Sequence, residues 1–248
     1  MPEPQTQYRS PLAATTPVGT APDLDLLRRQ RHRLVVVLTF VTGCADAMGF
    51  LALGGAFSSV MTGNMVLLGL STGTSDGSLA VSSGSAIAAY VVGVLLGARI
   101  AGRSSGPEPV WPRSVTWTLA VELAALAALL VTWELTLGGR SDGLKLALLM
   151  VLAASLGMQG SAVQRFGVSG LSSTYLTGTL TSLIVGVANR RPRAALLPHL
   201  YVLVALVVGA AVGSVLVLDA PPLTPLFVVL PLAGVVVGSV RLRASEDG

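Results

Sequence analysis

One carboxylate, Asp46, lies inside the first long apolar segment of the chain, residues 34–55, about twelve residues from its start. An ionisable side chain near the middle of a membrane-length segment costs several kcal/mol unless it is paired, solvated or protonated. A carboxyl group of this kind could bind and release a proton or a cation. Asp46 is therefore our first candidate for a coupling and binding group. The structural alternative is that it hydrogen-bonds an interrupted backbone or caps a half-helix.

Two short polar clusters interrupt other apolar segments: Thr62-Gly63-Asn64 in the first half of the chain and Thr177-Gly178-Thr179 in the second. Glycine permits an unwound backbone, and Thr and Asn offer hydrogen-bond donors and acceptors. A half-helix that starts at such a cluster points its N-terminal amide groups at a ligand. We expect both clusters to bind a small solute. The alternative is close helix packing through small residues.

Further polar side chains lie within or beside apolar segments. Gln159 could orient a solute through its amide, and Glu122 is a second candidate for coupling. Arg165 could bind an anion or pair with Asp46. The alternative for Arg165 is that its long side chain reaches the membrane interface from a buried stem.

The composition points to an integral membrane protein. Of the 248 residues, 52% are hydrophobic and 11% are charged, whereas soluble domains carry roughly a quarter charged residues. Eight apolar segments follow one another, at residues 34–55, 57–71, 83–102, 115–137, 144–163, 170–188, 199–218 and 224–240. Lipid requires helices or closed barrels, and the alternation of a barrel strand is missing, so we predict an all-α membrane protein.

Arginine clusters between the apolar segments favour six full crossings. If residues 99–113, 190–193 and 241–243 are cytoplasmic, the loops at 72–82, 138–143 and 219–223 lie outside. Residues 34–71 and 144–188 must then each cross an odd number of times. One crossing plus an interrupted or re-entrant helix fits each stretch. Eight plain helices, with 99–113 outside, remain the alternative.

The chain is accordingly divided into five parts. Residues 1–33 are predicted to be a disordered cytoplasmic tail, 34–137 a first membrane repeat and 138–143 the connecting loop. Residues 144–241 form the second membrane repeat, and 242–248 a short polar tail. Both termini are expected on the cytoplasmic side of a bacterial inner membrane.

The two halves carry similar motifs in the same order. Thr62-Gly63 and Thr177-Gly178 are 115 residues apart, and at that offset Asp46 corresponds to Ser161. Gly93 and Gly97 match Gly209 and Gly213 at an offset of 116. Because an odd number of crossings per half reverses the second half, we predict two pseudo-symmetric, inverted repeats. Inverted repeats with interrupted helices are typical of secondary transporters, an analogy at the level of the fold.

Other classes of protein are disfavoured. The basic residues alternate with membrane-length apolar segments, which does not suit a nucleic-acid surface. The single Cys44 excludes an internal disulfide or a multi-cysteine metal site. No nucleophile elbow, zinc-protease motif or Walker loop occurs, so we predict neither an enzyme nor a cofactor.

Two runs of residues resemble the signatures of a known family. They are Gly43-Cys44-Ala45-Asp46-Ala47-Met48-Gly49-Phe50, followed by Phe57 and Met61-Thr62-Gly63-Asn64-Met65, and Gly157-Met158-Gln159, followed by Thr174-Tyr175-Leu176-Thr177-Gly178-Thr179-Leu180-Thr181. Both are similar to the YoaK family of multipass bacterial membrane proteins of unknown function, over residues 34–242. In that family an Asn usually follows the Met-Gln pair, where this chain has Gly160. The resemblance implies the fold and the membrane class, and no substrate.

Three functions fit these observations. The first is a secondary transporter with a solute site at mid-membrane between the repeats and Asp46 as the coupling carboxyl, so that Asp46→Asn would abolish coupled transport. The second is an uncoupled channel or facilitator. The third is a membrane scaffold or accessory protein that transports nothing. The expected partners are the lipid bilayer, an unidentified small solute and further copies of the chain, with no nucleic acid.

Overall fold

A computed structural model describes residues 21–102, 111–137, 139–165 and 176–244, with side chains from residue 25 onward. Within these ranges the regular elements are helices: α1 Ala21–Ala52, α2 Met61–Thr74, α3 Gly77–Ala101, α4 Arg113–Leu135, α5 Asp142–Gln164, α6 Leu176–Ala188, α7 Arg193–Asp219 and α8 Leu226–Ala244. A single 3₁₀ turn, Pro221–Leu223, precedes α8. The predicted all-α class is confirmed for the described part of the chain.

Six of these helices are long and apolar enough to cross a membrane, namely α1, α3, α4, α5, α7 and α8. The other two are short: α2 has 14 residues and α6 has 13. At 1.5 Å per residue they reach about 20 Å, less than the roughly 30 Å of a bilayer core. Six long helices and two short ones agree with the prediction from the arginine clusters.

The predicted ends of the membrane segments differ from the observed helices. The helix α1 begins at Ala21, so residues 21–33, which we predicted to be disordered, are helical. Their Leu, Arg and Gln residues favour helix, and Arg28 lies 3.9 Å from Asp25 one turn earlier. The helix α5 begins at Asp142, inside the predicted connecting loop, because the Ser141 hydroxyl accepts a hydrogen bond from Leu144 N.

Glycines allow α1 to pack closely on α7. A methyl group at Gly209 would collide with the carbonyl oxygen of Phe40, and one at Gly213 would lie 2.8 Å from Cα of Cys44. Gly43 approaches the backbone of Leu206 in the same way. The numbers of the contacting residues rise together along both helices, so α1 and α7 run parallel.

The helices α3 and α5 form a second contact of the same kind. Gly93 meets the backbone of Ala154, Gly97 meets that of Met158, and Gly157 meets that of Tyr90. Small residues of this kind let membrane helices approach backbone to backbone.

The two contacts correspond residue by residue. Gly157 follows Gly43 by 114 residues, and Gly209 follows Gly93 by 116. The contacts therefore match each residue of α1 with the residue 114 positions later, in α5. The two Thr-Gly clusters are 115 residues apart, one more than this offset. At the offset of 114 Asp46 corresponds to Gly160, whereas the offset of 115 pairs it with Ser161.

The helices α4 and α8 run antiparallel. The hydroxyls of Thr116, near the start of α4, and Ser239, near the end of α8, are 3.0 Å apart. At the other end Trp133 Nε1 donates to the carbonyl oxygen of Pro221 over 2.9 Å. If α2 and α6 do not cross the membrane, α4 is the third crossing and α8 the sixth, so the two run antiparallel. If all eight helices crossed, α4 and α8 would be the fourth and eighth crossings and would run parallel. The structure thus favours six.

The ends of the helices define two faces of the molecule. Arg33 of α1 and Arg241 of α8 line one cavity, and Arg165 at the end of α5 donates to the carbonyl oxygens of Ala101 and Gly102 at the end of α3. We call this side the basic face. It carries twelve of the described arginines: Arg28, Arg29, Arg31, Arg33, Arg99, Arg113, Arg165, Arg190, Arg191, Arg193, Arg241 and Arg243.

The opposite face has only two described basic residues, Arg140 and Lys145. Arg140 stacks 3.6 Å over the ring of Trp133, and its burial lowers the pKa of the guanidinium. Asp76 caps the start of α3 there, and hydrogen bonds from Leu79 N and the Ser78 hydroxyl lower the pKa of this carboxyl. The charge asymmetry matches the bias that orients membrane proteins with their basic side in the cytoplasm.

We predict that Gly93→Ala and Gly209→Ala each lower the free energy of unfolding by about 1–3 kcal/mol, because the added methyl group would force two backbones apart. Thermal unfolding in detergent micelles measures the effect. Gly73→Ala is the control, since no atom lies within 4 Å of a methyl group there. Equal stability of all three variants would contradict the packing.

The two faces also predict which loops are accessible in cells. In a Cys44→Ser background, a cysteine at Ser78 should react with an impermeant maleimide in intact cells, because Ser78 is exposed on the opposite face. A cysteine at the exposed Asn189, on the basic face, should react only after lysis. The reverse pattern would contradict the assignment, and protection at both positions would favour eight plain helices.

Candidate functional site

The chain turns back into the helix bundle after α1. Gly54 and Gly55 have φ angles of 121° and 75°, which glycine adopts without strain. Residues 53–60, which we call the return segment, then run back along α1, where Ala56 is buried against Gly49. The return segment places Ser58 and Ser59 beside Asp46, two turns before the end of α1.

Asp46 holds this return segment through four hydrogen bonds. Its Oδ1 accepts from Ser58 N at 2.9 Å, the Ser58 hydroxyl at 3.0 Å and Ser59 N at 2.7 Å. Its Oδ2 accepts from the Ser59 hydroxyl at 2.5 Å. Four donors compensate the buried carboxylate, so its geometry matches the structural alternative for Asp46, a carboxylate that satisfies an interrupted backbone.

Asn64 performs a related task from α2. Its Oδ1 accepts a hydrogen bond from Phe57 N at 2.8 Å, and its Nδ2 donates to Phe57 O at 2.6 Å. The ring of Phe57 stacks on Phe50, with 4.9 Å between centroids. Gly63 lies against Phe57, whereas Thr62 is exposed. The first Thr-Gly cluster therefore anchors the return segment, and its amide is already occupied by backbone groups.

The short helix α2 leads from the bundle interior to the opposite face. It begins at Met61, just after the serines that bind Asp46, and its end is joined to α3 by Ser75 and Asp76. Ser75 has a φ of 54°, and its N–H bonds to Ser71 O, which closes the helix. The chain thus enters the bundle from the opposite face through the return segment and goes back to the same face through α2.

The second Thr-Gly cluster opens α6. Thr179 is buried, while Thr177 and Gly178 are exposed. The helix α6 packs on α7 and ends near Arg190 and Arg191 on the basic face. Thr174 and Tyr175, which belong to the same motif, lie outside the described residues. No hydrogen bond in the described ranges joins the two Thr-Gly clusters.

Gln159 lies where α5 meets α1. The Thr42 hydroxyl is 3.1 Å from Gln159 Oε1 and 3.0 Å from Leu38 O. This hydroxyl has a single hydrogen and cannot donate to both oxygens, so we orient the Gln159 amide with Nε2 towards Thr42. Whichever way the amide points, one of its polar atoms is without a partner in the described structure. Thr42 precedes Asp46 by one helical turn.

Glu122 is buried at 0% exposure, and neither carboxylate oxygen has a hydrogen-bond partner in the part of the chain that the structure describes. Because α4 begins at Arg113, Glu122 lies nine residues in, close to the centre of Arg113–Leu135. A charged carboxylate at the bilayer centre costs about 2.5–3.5 kcal/mol even on insertion scales. A charged Glu122 would therefore be costly at this depth, which makes it a candidate for protonation.

Ser155 lies at the level of Glu122, which the sequence analysis did not notice. Glu122 precedes the last residue of α4 by thirteen, and Ser155 follows the first residue of α5 by thirteen. The two helices are antiparallel neighbours joined by a short connection, so equal distances mean equal depth. The Ser155 hydroxyl is buried and likewise has no partner among the described residues. The segment ends predicted from the sequence, residues 137 and 144, give unequal distances of 15 and 11 residues, so the match appears only with the observed helix ends.

Arg165 does not pair with Asp46. Its guanidinium binds the backbone at the end of α3, and Asp46 binds the return segment. The suggested ion pair is therefore wrong, and Arg165 closes the basic face instead. Arginine satisfies the last carbonyl groups of a helix well, since its donors form a fixed fork.

These features define a multipass helical membrane protein with buried polar groups at mid-depth. Residues 34–238 match the family described as protein of unknown function (DUF1275), and the chain belongs to that family. It is 34% identical over 160 residues to UPF0700 transmembrane protein YoaK of Bacillus subtilis (strain 168), an alignment that covers 64% of this chain and 68% of that protein. The predicted resemblance is thus confirmed. No solved structure matches the chain.

We predict that Asp46→Ala releases the return segment, because the Ser58 and Ser59 amides would lose their acceptor at a cost of about 1–3 kcal/mol for each buried donor. A cysteine at the buried Ala56, in the Cys44→Ser background, reports the change through its rate of maleimide labelling. The rate should rise with Asp46→Ala and less with Asp46→Asn, which keeps one acceptor. Asp76→Ala is the matched control, and unchanged labelling in Asp46→Ala would contradict the role of Asp46.

Proposed function

We propose that the protein is a secondary transporter of a small solute, with Glu122 as the group that binds and releases a proton during transport. The observation that carries this proposal is the buried carboxylate of Glu122 at mid-depth without a described hydrogen-bond partner. Ionisable residues inside membrane segments are expensive and usually belong to ion or proton pathways.

We assign the coupling role to Glu122 rather than to Asp46. The carboxylate of Asp46 accepts four hydrogen bonds, and a proton added there would compete with them. Glu122 would lose no described hydrogen bond on protonation. A proton also needs no ligand beyond the carboxylate, whereas a metal cation needs several oxygen ligands at once.

The proposed architecture is an inverted repeat. The first half would comprise α1 to α4 and the second half α5 to α8, each with three crossings and one short helix. Supporting observations are the matched glycine contacts of α1 with α7 and of α5 with α3. The short helix α2 ends at the opposite face and α6 at the basic face, as two re-entrant helices from opposite sides would. Secondary transporters often have this design, with the solute site between the repeats.

The packing suggests which parts would move. One bundle would contain α1, α7 and α8, and the other would contain α3, α4 and α5. Inside each bundle, backbones touch at glycines and cannot slide without collision. Between the bundles the described hydrogen bonds involve side chains: Thr42 with Gln159, Thr116 with Ser239, and Trp133 with Pro221. Such contacts can break and re-form, which suits rocking of one bundle against the other.

The solute would bind at this boundary. Gln159 has one polar amide atom available there, and it is 1% exposed. The return segment, held by Asp46 and Asn64, would form the wall on the side of the opposite face. The basic face, with both chain ends, would lie in the cytoplasm of a bacterial inner membrane.

The proposal predicts proton movement that depends on solute and on Glu122. The purified protein is reconstituted in liposomes that contain a pH-sensitive dye, and a pH gradient is imposed. Fractions of a small-molecule extract of bacterial cells are then added. We expect at least one fraction to start proton flux in the wild type, and Glu122→Gln to reduce that flux to the level of empty liposomes.

Glu134→Gln is the matched control, because Glu134 lies at the outer end of the same helix and is partly exposed. It should retain the flux, and thermal unfolding should show that both variants are folded.

Equal flux in Glu122→Gln and wild type would show that Glu122 does not couple proton movement to transport. Solute uptake that is the same with and without the pH gradient, and the same in Glu122→Gln, would indicate a channel. A folded protein that moves no solute and co-purifies with a stable protein partner would indicate a scaffold.

A further inference from the structure

A cavity of about 290 Å³ opens between α1 and α8 on the basic face. Its lining comprises Gln30, Arg33, Leu34, Gly238, Arg241 and Leu242. Two arginines from different helices thus line one cavity, together with the amide of Gln30 and two leucines. Pockets for small ligands begin at roughly 300 Å³ and combine an apolar wall with a few polar groups, a description that this cavity meets.

We propose that this cavity binds the phosphate group of an anionic phospholipid from the cytoplasmic leaflet. Guanidinium groups bind phosphate through paired N–H donors, which makes arginine the preferred residue for such contacts. Arg241 also has an interaction within the chain. Its five donors can serve that interaction and a phosphate together.

The position of the cavity favours a lipid over a free anion. Arg33 and Gln30 lie one turn apart at the start of the apolar part of α1, where the polar edge of a bilayer would be. Leu34 on α1 and Gly238 on α8 lie deeper in their helices than Arg33 and Arg241, on the apolar side where acyl chains would follow the phosphate. Basic pockets between membrane helices on the cytoplasmic side are known as binding places for anionic headgroups.

The polar residues that α1 contributes to the cavity are not repeated at the corresponding positions of α5. At the offset of 114 that relates α1 to α5, Arg33 corresponds to Ala147 and Gln30 to Leu144. The internal similarity of the two halves therefore does not account for the basic residues of the cavity. Gly238 adds room, since a methyl group there would lie 3.0 Å from Cδ2 of Leu34.

The test measures thermal unfolding and native mass spectrometry of the detergent-purified full chain with added phosphatidylglycerol, phosphatidylcholine or inorganic phosphate. We expect phosphatidylglycerol to raise the unfolding temperature and to remain bound in the spectrum, and the other two to do neither. In Arg33→Gln and Arg241→Gln the apparent affinity for phosphatidylglycerol should fall ~5-fold for each guanidinium removed.

Two further variants separate the cavity from general surface charge. Arg243→Gln removes a neighbouring charge outside the cavity lining and should bind phosphatidylglycerol like the wild type. Gly238→Leu keeps both guanidinium groups but fills the cavity, and it should no longer bind the lipid. This variant tests the cavity independently of the arginine variants. Stabilisation by inorganic phosphate equal to that by phosphatidylglycerol would overturn the lipid assignment. Undiminished lipid binding in Gly238→Leu would overturn the site.

Discussion

Close backbone contact at glycines holds four of the long helices together in two pairs. In lipid there is no hydrophobic force between apolar helices, so association relies on close packing and on hydrogen bonds. The contacts of Gly209 and Gly213 with α1, and of Gly93 and Gly97 with α5, supply that packing twice. They fix two helix pairs at short distance. The remaining helices and the return segment are arranged around these pairs.

The polar groups divide into two kinds against this rigid frame. Asp46 and Asn64 form hydrogen bonds with the return segment, whose backbone would otherwise be unsatisfied inside the bundle. Glu122, Ser155 and one atom of Gln159 are buried without described partners. Groups of the first kind maintain the fold. Groups of the second kind are available to a proton or a solute, and this difference decides which carboxylate we assign to coupling.

Sequence patterns predicted the helical class, the six long helices and the match of Gly93 and Gly97 with Gly209 and Gly213, because these follow from apolar length and from residue spacing. The partners of Asp46 were not predictable, since the path of the return segment depends on the turn at Gly54 and Gly55 and on no periodic pattern. The offset of 114 between α1 and α5 also escaped, because apolar residues match at several offsets. The isolation of Glu122 depends on neighbours from other helices, which spacing along one helix cannot supply.

Infrared spectroscopy of the protein in lipid bilayers shows whether Glu122 carries a proton, because a protonated carboxylic acid has its own carbonyl stretch. We expect this band in the wild type at neutral pH, its loss in Glu122→Gln, and its persistence in Asp46→Asn and Glu134→Gln. A wild-type spectrum without the band, or a band that survives in Glu122→Gln, would contradict the assignment of Glu122 as the proton-binding group.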